Sequence, residues 1–174
     1  MTNETGDSKP RKSKWRSFAI EALLLVIVVA GIRAWQQRDI VSGAAPVLQG
    51  TTLAGQPYKL PSHPDRPVLV HFWATWCPVC SAEQGSIAAI ARDNQNVISI
   101  AMQSGKSEDV VRYIREEGID FPVLNDADGS ISAAWGVHAV PASFIIAPDG
   151  RINFVEVGYT TGVGLKLRLW LAGI

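Results

Sequence analysis

The stretch Val68-Leu69-Val70-His71-Phe72-Trp73-Ala74-Thr75-Trp76-Cys77-Pro78-Val79-Cys80 decides how the rest of this chain is read. Its first half is a short apolar run, suited to a strand buried on both faces. Its second half sets two cysteines three apart at the opening of a helix, the context in which a CxxC pair does redox chemistry. A cysteine at a helix N-terminus meets free backbone N–H groups and the positive end of the helix dipole, and both favour an anion. That depresses the thiol pKa, and the thiolate is the nucleophile. Pro78 costs nothing in the first turn, where its missing N–H has no partner. Cys80, one turn on, lies where it can resolve a mixed disulfide formed at Cys77. A purely structural disulfide is the weaker reading, because closing so short a loop gains little entropy.

Working outward, residues 77–92 read as a helix with Ile87, Ala88, Ile90 and Ala91 on its apolar side. Val97–Met102 is a second buried strand. A helix capped by Ser107 runs through Glu117 and stops at Gly118. Phe121–Leu124 is a short extended piece, and Asp126-Ala127-Asp128-Gly129 turns into a brief helix ending at Trp135. Ala142–Ala147 and Arg151–Val157 are strands joined by Pro148-Asp149-Gly150. An amphipathic helix over Leu165–Leu171 closes the chain. Upstream, residues 47–60 form a small hairpin. Strand–helix alternation followed by an antiparallel hairpin predicts an α/β fold, a mixed central sheet with helices on both faces.

The composition allows this, with 47% hydrophobic and 18% charged residues, enough to bury a core. Net charge is zero but unevenly spread. Residues 1–16 hold five basic and two acidic side chains, leaving 11 basic and 14 acidic elsewhere. A mildly acidic body offers no footprint for nucleic acid. The basic cluster precedes Phe18–Ile32, an apolar run broken only by Glu21, with Trp15 and Trp35 at its ends. We read residues 1–16 as a cytoplasmic tail, 17–35 as a single-pass transmembrane signal anchor, 36–46 as a linker and 47–174 as the folded domain. The positive-inside rule puts that domain outside the inner membrane, in the periplasm. A cleaved signal peptide at Val28-Val29-Ala30 is the alternative, and it also implies export. Two cysteines are too few for a disulfide scaffold, and alone too few for a structural zinc site.

The CxxC segment resembles the active-site segment of thioredoxins, and is most similar to the membrane-anchored TlpA/ResA/CcmG branch, in which Phe72-Trp73-Ala74-Thr75-Trp76-Cys77 is typical. The resemblance continues at Gly136-Val137-His138-Ala139-Val140-Pro141-Ala142-Ser143-Phe144, where the family has its cis-proline loop, and covers residues 44–173. The run Ser81-Ala82-Glu83-Gln84-Gly85-Ser86 is also similar to copper-sensitivity suppressor proteins of this fold. The resemblance implies a thioredoxin fold and a cis Val140–Pro141 bond, with Val140 presenting backbone groups to an extended partner peptide. It implies an acid at Glu83 near the thiols, able to take a proton from Cys80. His71 departs from the family, which has a buried acid or Asn there. It is read either as a base or cation for the thiols or as a satisfied buried histidine. Catalysis is thus assigned to Cys77, Cys80, Glu83 and His71, and partner contact to Trp76, Pro78, Val79, Val140 and Pro141. His138 is close in sequence to Pro141, and His63 sits in a proline-rich loop.

These residues predict a thiol–disulfide oxidoreductase that needs no metal or organic cofactor beyond the Cys77–Cys80 pair. It would act on exported protein thiols or disulfides and exchange electrons with a membrane redox partner. The family leans towards reduction, with disulfide formation as the opposite direction. A Cu(I)-binding module is a second reading, since two thiolates are soft ligands. A peroxidase would need Thr or Ser where Ala74 stands.

Overall fold

A computed structural model of the chain describes residues 18–28, 31, 40–93 and 96–174, which fall in two compact units, 1–38 and 39–174. In the first unit residues 18–28 form a helix, α1, and Phe18, Ile20 and Leu23 through Val28 expose their side chains. Among the described residues no helix is long and apolar enough to cross a membrane. The remainder of the expected 17–35 span, and the basic tail 1–16, lie almost wholly outside the described residues.

The second unit contains β1 (Gly43–Ala44), β2 (Gln49–Thr51), β3 (Pro57–Lys59), β4 (Val68–Trp73), α2 (Pro78–Arg92), β5 (Asn96–Met102) and α3 (Ser107–Glu116). It continues with β6 (Val123–Asp126), α4 (Ser130–Ala134), β7 (Ala142–Ile146), β8 (Arg151–Val157) and α5 (Gly162–Ala172). The main sheet has the order β1-β8-β7-β4-β5-β6, and β2 pairs with β3 in a separate hairpin. Strand β4 runs parallel to β5 and antiparallel to β7, so the sheet is mixed as expected.

Strand alternation divides the core in two. On one face Leu69, Trp73, Ala101 and Ile145 pack against α2, α3 and α5. On the other, Val70, Phe72, Ile100 and Phe144 pack with Trp135, just after α4, and with Leu48 and Leu60 flanking the hairpin. Phe72, Trp135 and Phe144 meet edge-on or tilted, with ring centroids 5.0–5.7 Å apart. Every residue of β4 is buried, His71 included. His71 shares the α2 side of the sheet with Leu69 and Trp73, directly across from Ser99 on β5 and Ser143 on β7.

Three local readings change. Lys106, not Ser107, is the N-cap of α3, and it makes no side-chain bond, so that helix starts on backbone bonds and packing. β6 begins two residues later than expected, because Pro122 has no N–H for a ladder. Its carbonyl instead accepts from the Ser99 backbone N–H and hydroxyl, each at 2.9 Å. Within the stretch read as linker, Gly43 and Ala44 pair with Ile152 and Arg151 and extend the sheet.

Candidate active site

Cys77 has extended backbone angles (φ −100°, ψ 105°) and is the N-cap of α2, with Pro78 opening the first turn. Its Sγ accepts the backbone N–H of Cys80 at 3.1 Å. The sulfur thus occupies the position that a serine or aspartate oxygen takes in an ordinary cap, facing the free amides of the helix. Cys77 and Cys80 are joined as a disulfide with Cα atoms 5.3 Å apart. Cys77 keeps 5% exposure and Cys80 none. Only the first sulfur is open to an incoming partner, which separates the attacking from the resolving cysteine.

Two loops hold this turn. Ser104 Oγ accepts the Thr75 backbone N–H at 3.0 Å and donates to the Met102 carbonyl at 3.0 Å. Trp76 Nε1 donates to the Gln103 carbonyl at 3.2 Å, leaving the indole 60% exposed beside the disulfide. Gln103 adopts φ 43°, a left-handed conformation rare outside glycine, and its N–H donates to the Asp126 carbonyl at 2.8 Å. On the other side the Val140–Pro141 bond is cis, and the Val140 carbonyl oxygen lies 3.7 Å from Cys77 Sγ. The disulfide sulfur has no proton to give that oxygen, so in this state the approach is a packing contact. Pro141 is buried, while Pro78 and Val79 are exposed on the rim.

Glu83 and His71 lie beneath this surface, at 1% exposure each. Glu83 is one turn beyond Cys80 on α2, and its Oε1 accepts the Thr160 backbone N–H at 3.2 Å while Oε2 has no partner. Burial raises its pKa to about 7, against the opposing pull of that N–H. The carboxyl is therefore poised to exchange a proton near neutrality. His71 Nδ1 and Ser143 Oγ are 2.9 Å apart, and Nε2 has no partner. Burial lowers the ring pKa to about 3. Burial thus holds the ring neutral beside the disulfide. The hydrogen bonds of both residues go to Ser143 and Thr160 rather than to the sulfurs.

Four positioning residues escaped the sequence reading: Gln103, Ser104, Ser143 and Thr160. Ser143 carried a usable signal, a lone hydroxyl in an otherwise apolar strand. The other three are loop residues with no pattern of their own.

A CxxC disulfide capping a helix, apposed to a cis-proline loop on a mixed sheet, defines a thiol–disulfide oxidoreductase of the thioredoxin fold. The profile of the AhpC/TSA family matches residues 41–155, and the chain belongs to that family. It is 29% identical over 154 residues to a thioredoxin-like protein of Haemophilus influenzae, covering 88% of this chain and 92% of that one. It is likewise 29% identical to the thiol-disulfide oxidoreductase ResA of Bacillus subtilis, covering 86% and 89%. Among solved structures it is similar to a secreted Mycobacterium tuberculosis disulfide oxidoreductase. That match has 30% identity and a TM-score of 0.62, over 71% of this chain and 95% of the other. The likeness to TlpA/ResA/CcmG-type oxidoreductases drawn from the motifs holds.

Proposed function

We propose that this chain is a membrane-anchored reductase of disulfides in exported proteins, held by a single pass through residues 17–35 with its folded domain in the periplasm. The observation that carries the redox reading is the solvent-reachable Cys77 sulfur, set in the amides that open α2 beside the Val140 carbonyl. The basic N-terminal tail, the apolar run after it and the secreted relative support the location.

In the reduced state the Cys77 thiolate attacks a substrate disulfide. One substrate sulfur leaves as a thiolate, and the other joins Cys77. The substrate backbone aligns along Val140 over the buried Pro141, with Trp76, Pro78 and Val79 forming the apolar rim. Cys80 passes its proton to the Glu83 carboxylate and attacks Cys77 Sγ, releasing the second substrate thiol and regenerating the disulfide. A membrane redox protein then returns two electrons. Similarity to copper-sensitivity suppressor proteins extends the reading to repair of thiols wrongly oxidised under copper stress.

The test is the reduction potential of the couple, read by thiol alkylation of the full chain equilibrated in glutathione buffers. A value near about −270 mV fits an electron donor. A value near about −120 mV overturns the direction and makes the protein a disulfide-forming oxidant.

A further inference from the structure

On the α2 side of the sheet, three buried polar atoms lack a hydrogen-bond partner among the described residues: His71 Nε2, Glu83 Oε2 and Trp73 Nε1. Buried polar groups are ordinarily bonded, so each needs a physical account. The Trp73 ring is turned to Tyr113 of α3, on which it stacks with centroids 5.6 Å apart. The other two atoms are held over the N-terminal end of β7. His71 lies directly across from Ser143 and bonds its hydroxyl. Glu83 faces inward from α2, between the fully buried Cys80 and Ile87. Its Oε1 is held by Thr160, just past Gly158, whose N–H donates to the Pro141 carbonyl at 2.8 Å.

The bond to Ser143 also indicates which nitrogen of His71 carries the proton. A buried hydroxyl needs an acceptor for its hydrogen. Among the described residues Ser143 Oγ has His71 Nδ1 and no other partner. Nδ1 is then the bare nitrogen, and in the neutral ring Nε2 holds the proton. The two unpartnered atoms are therefore complementary, an N–H donor on His71 and an acceptor oxygen on Glu83. They are not in direct contact, and a buried water joins groups placed in this way.

We propose that His71 is a positioning residue for the base of this site: Ser143 fixes its tautomer, and its Nε2–H donates through one buried water to Glu83 Oε2. This rests on the reading of Glu83 as the base for Cys80. In the mixed disulfide the Cys80 thiol gives its proton to Glu83, its sulfur bonds Cys77 Sγ, and the substrate sulfur leaves with the electron pair of the broken bond. His71 keeps its proton throughout. A donor aimed at the carboxylate favours the ionised form, so Glu83 is ready to accept a proton at lower pH. The other titratable or charged groups around Glu83 are Cys77 and Cys80 on its own helix, Tyr113, which accepts from Gln84 at 3.3 Å, and the exposed Tyr159 beside Thr160. Two ion pairs of α5 complete the set, Arg168 with Glu156 and Lys166 with Asp93. None of them bonds Oε2.

The test is stopped-flow reaction of the reduced full chain with the aromatic disulfide of thionitrobenzoate, followed against pH. The first release of thionitrobenzoate reports attack by Cys77, and the second reports resolution by Cys80. The expected result is that His71→Phe moves the inflection of the second phase up by about one pH unit. His71→Gln, whose amide nitrogen reaches the Nε2 position, returns it towards the wild-type value. Equal inflections in the wild type and His71→Phe overturn the proposal, and Glu83 stands as the base if Glu83→Gln abolishes the inflection. An inflection that survives Glu83→Gln overturns the base reading and this proposal with it. A second measurement needs no variant to fold: nitrogen–proton NMR correlations of the His71 ring in the oxidised wild type. A proton on Nε2 is expected, and a proton on Nδ1 overturns the proposal.

Discussion

Two buried titratable side chains govern how this site responds to pH, and their effects have opposite signs. Glu83 has its pKa raised to about 7 by burial, from an ordinary value near 4.5. Between those values the folded chain holds a proton that the unfolded chain has released, so the Glu83 contribution to stability falls as pH rises through that window and then levels off. Glu83→Gln removes this slope and leaves the opposing one from His71, so denaturant unfolding of the oxidised protein across the window will read stability that rises with pH up to about 6.5 and is level above it. A variant retaining the wild-type slope would show that another group titrates there. The same substitution removes the inflection near pH 7 from the rate at which Cys80 resolves a mixed disulfide. His71, lowered to about 3 by burial, works the other way. Below about pH 6.5 the unfolded ring gains a proton that the folded ring refuses, so the His71 contribution drops by up to about 1.4 kcal/mol per pH unit and opposes that of Glu83 down to about pH 4.5. His71→Asn lacks that acid limb, as urea midpoints between pH 4 and pH 7 will show. Both residues were visible in sequence as site candidates. Their partners were not, because Ser143 lies 72 residues from His71 and Thr160 lies 77 from Glu83.

At the scale of elements, the best-read segments were those whose signal is local. The buried β4 strand and the proline-opened α2 follow from apolar continuity and first-turn chemistry within a dozen residues. The α3 cap failed because Ser107 looks like a cap but enters the helix, leaving Lys106 to start it. The helix expected to be amphipathic over Leu165–Leu171 is α5, and it carries apolar residues on its exposed side as well, with Val163, Leu167, Trp170 and Leu171 open to solvent, which blurs the pattern that periodicity detects. The turn after β6 has a device the sequence only hinted at. The buried Asp126 carboxylate accepts the Ile131 and Ser132 backbone N–H groups at 2.9 Å each and the Ser132 hydroxyl at 2.6 Å. Asp126→Ala strands buried donors and is expected to cost about 2–3 kcal/mol in urea unfolding. Because the Asp126 backbone also holds Gln103, and Gln103 holds Trp76, the variant's slower reaction with a protein disulfide should exceed any change with a small thiol reagent. Equal changes would disconnect this turn from the partner-facing rim.

In the molecule as a whole, Gly150 marks where three distant segments close on one another. It sits at φ 78° in the β7–β8 turn, its carbonyl accepts the Ala45 N–H at 3.0 Å, and a Cβ there would collide with the Ser62 carbonyl. Gly150→Ala combines an unfavourable left-handed backbone with that collision, and a loss of about 2–3 kcal/mol is expected in thermal or urea unfolding with Cys77 and Cys80 still oxidised. A neutral effect would mean that the 60–66 loop yields freely. The turn itself was legible in Pro148-Asp149-Gly150, but the closeness of Ser62 and Ala45 was not. By itself the sequence determined the class of fold and pointed to thiol–disulfide chemistry, because a CxxC between a buried strand and a helix start is a local pattern, while the cis proline followed from the family resemblance. Only the tertiary structure decided which atoms satisfy His71 and Glu83, that residues 43–44 belong to the sheet, and that α5 turns an apolar stripe outward. Each of these is a contact, or the lack of one, between segments far apart in the chain, and no local pattern encodes what packing brings together.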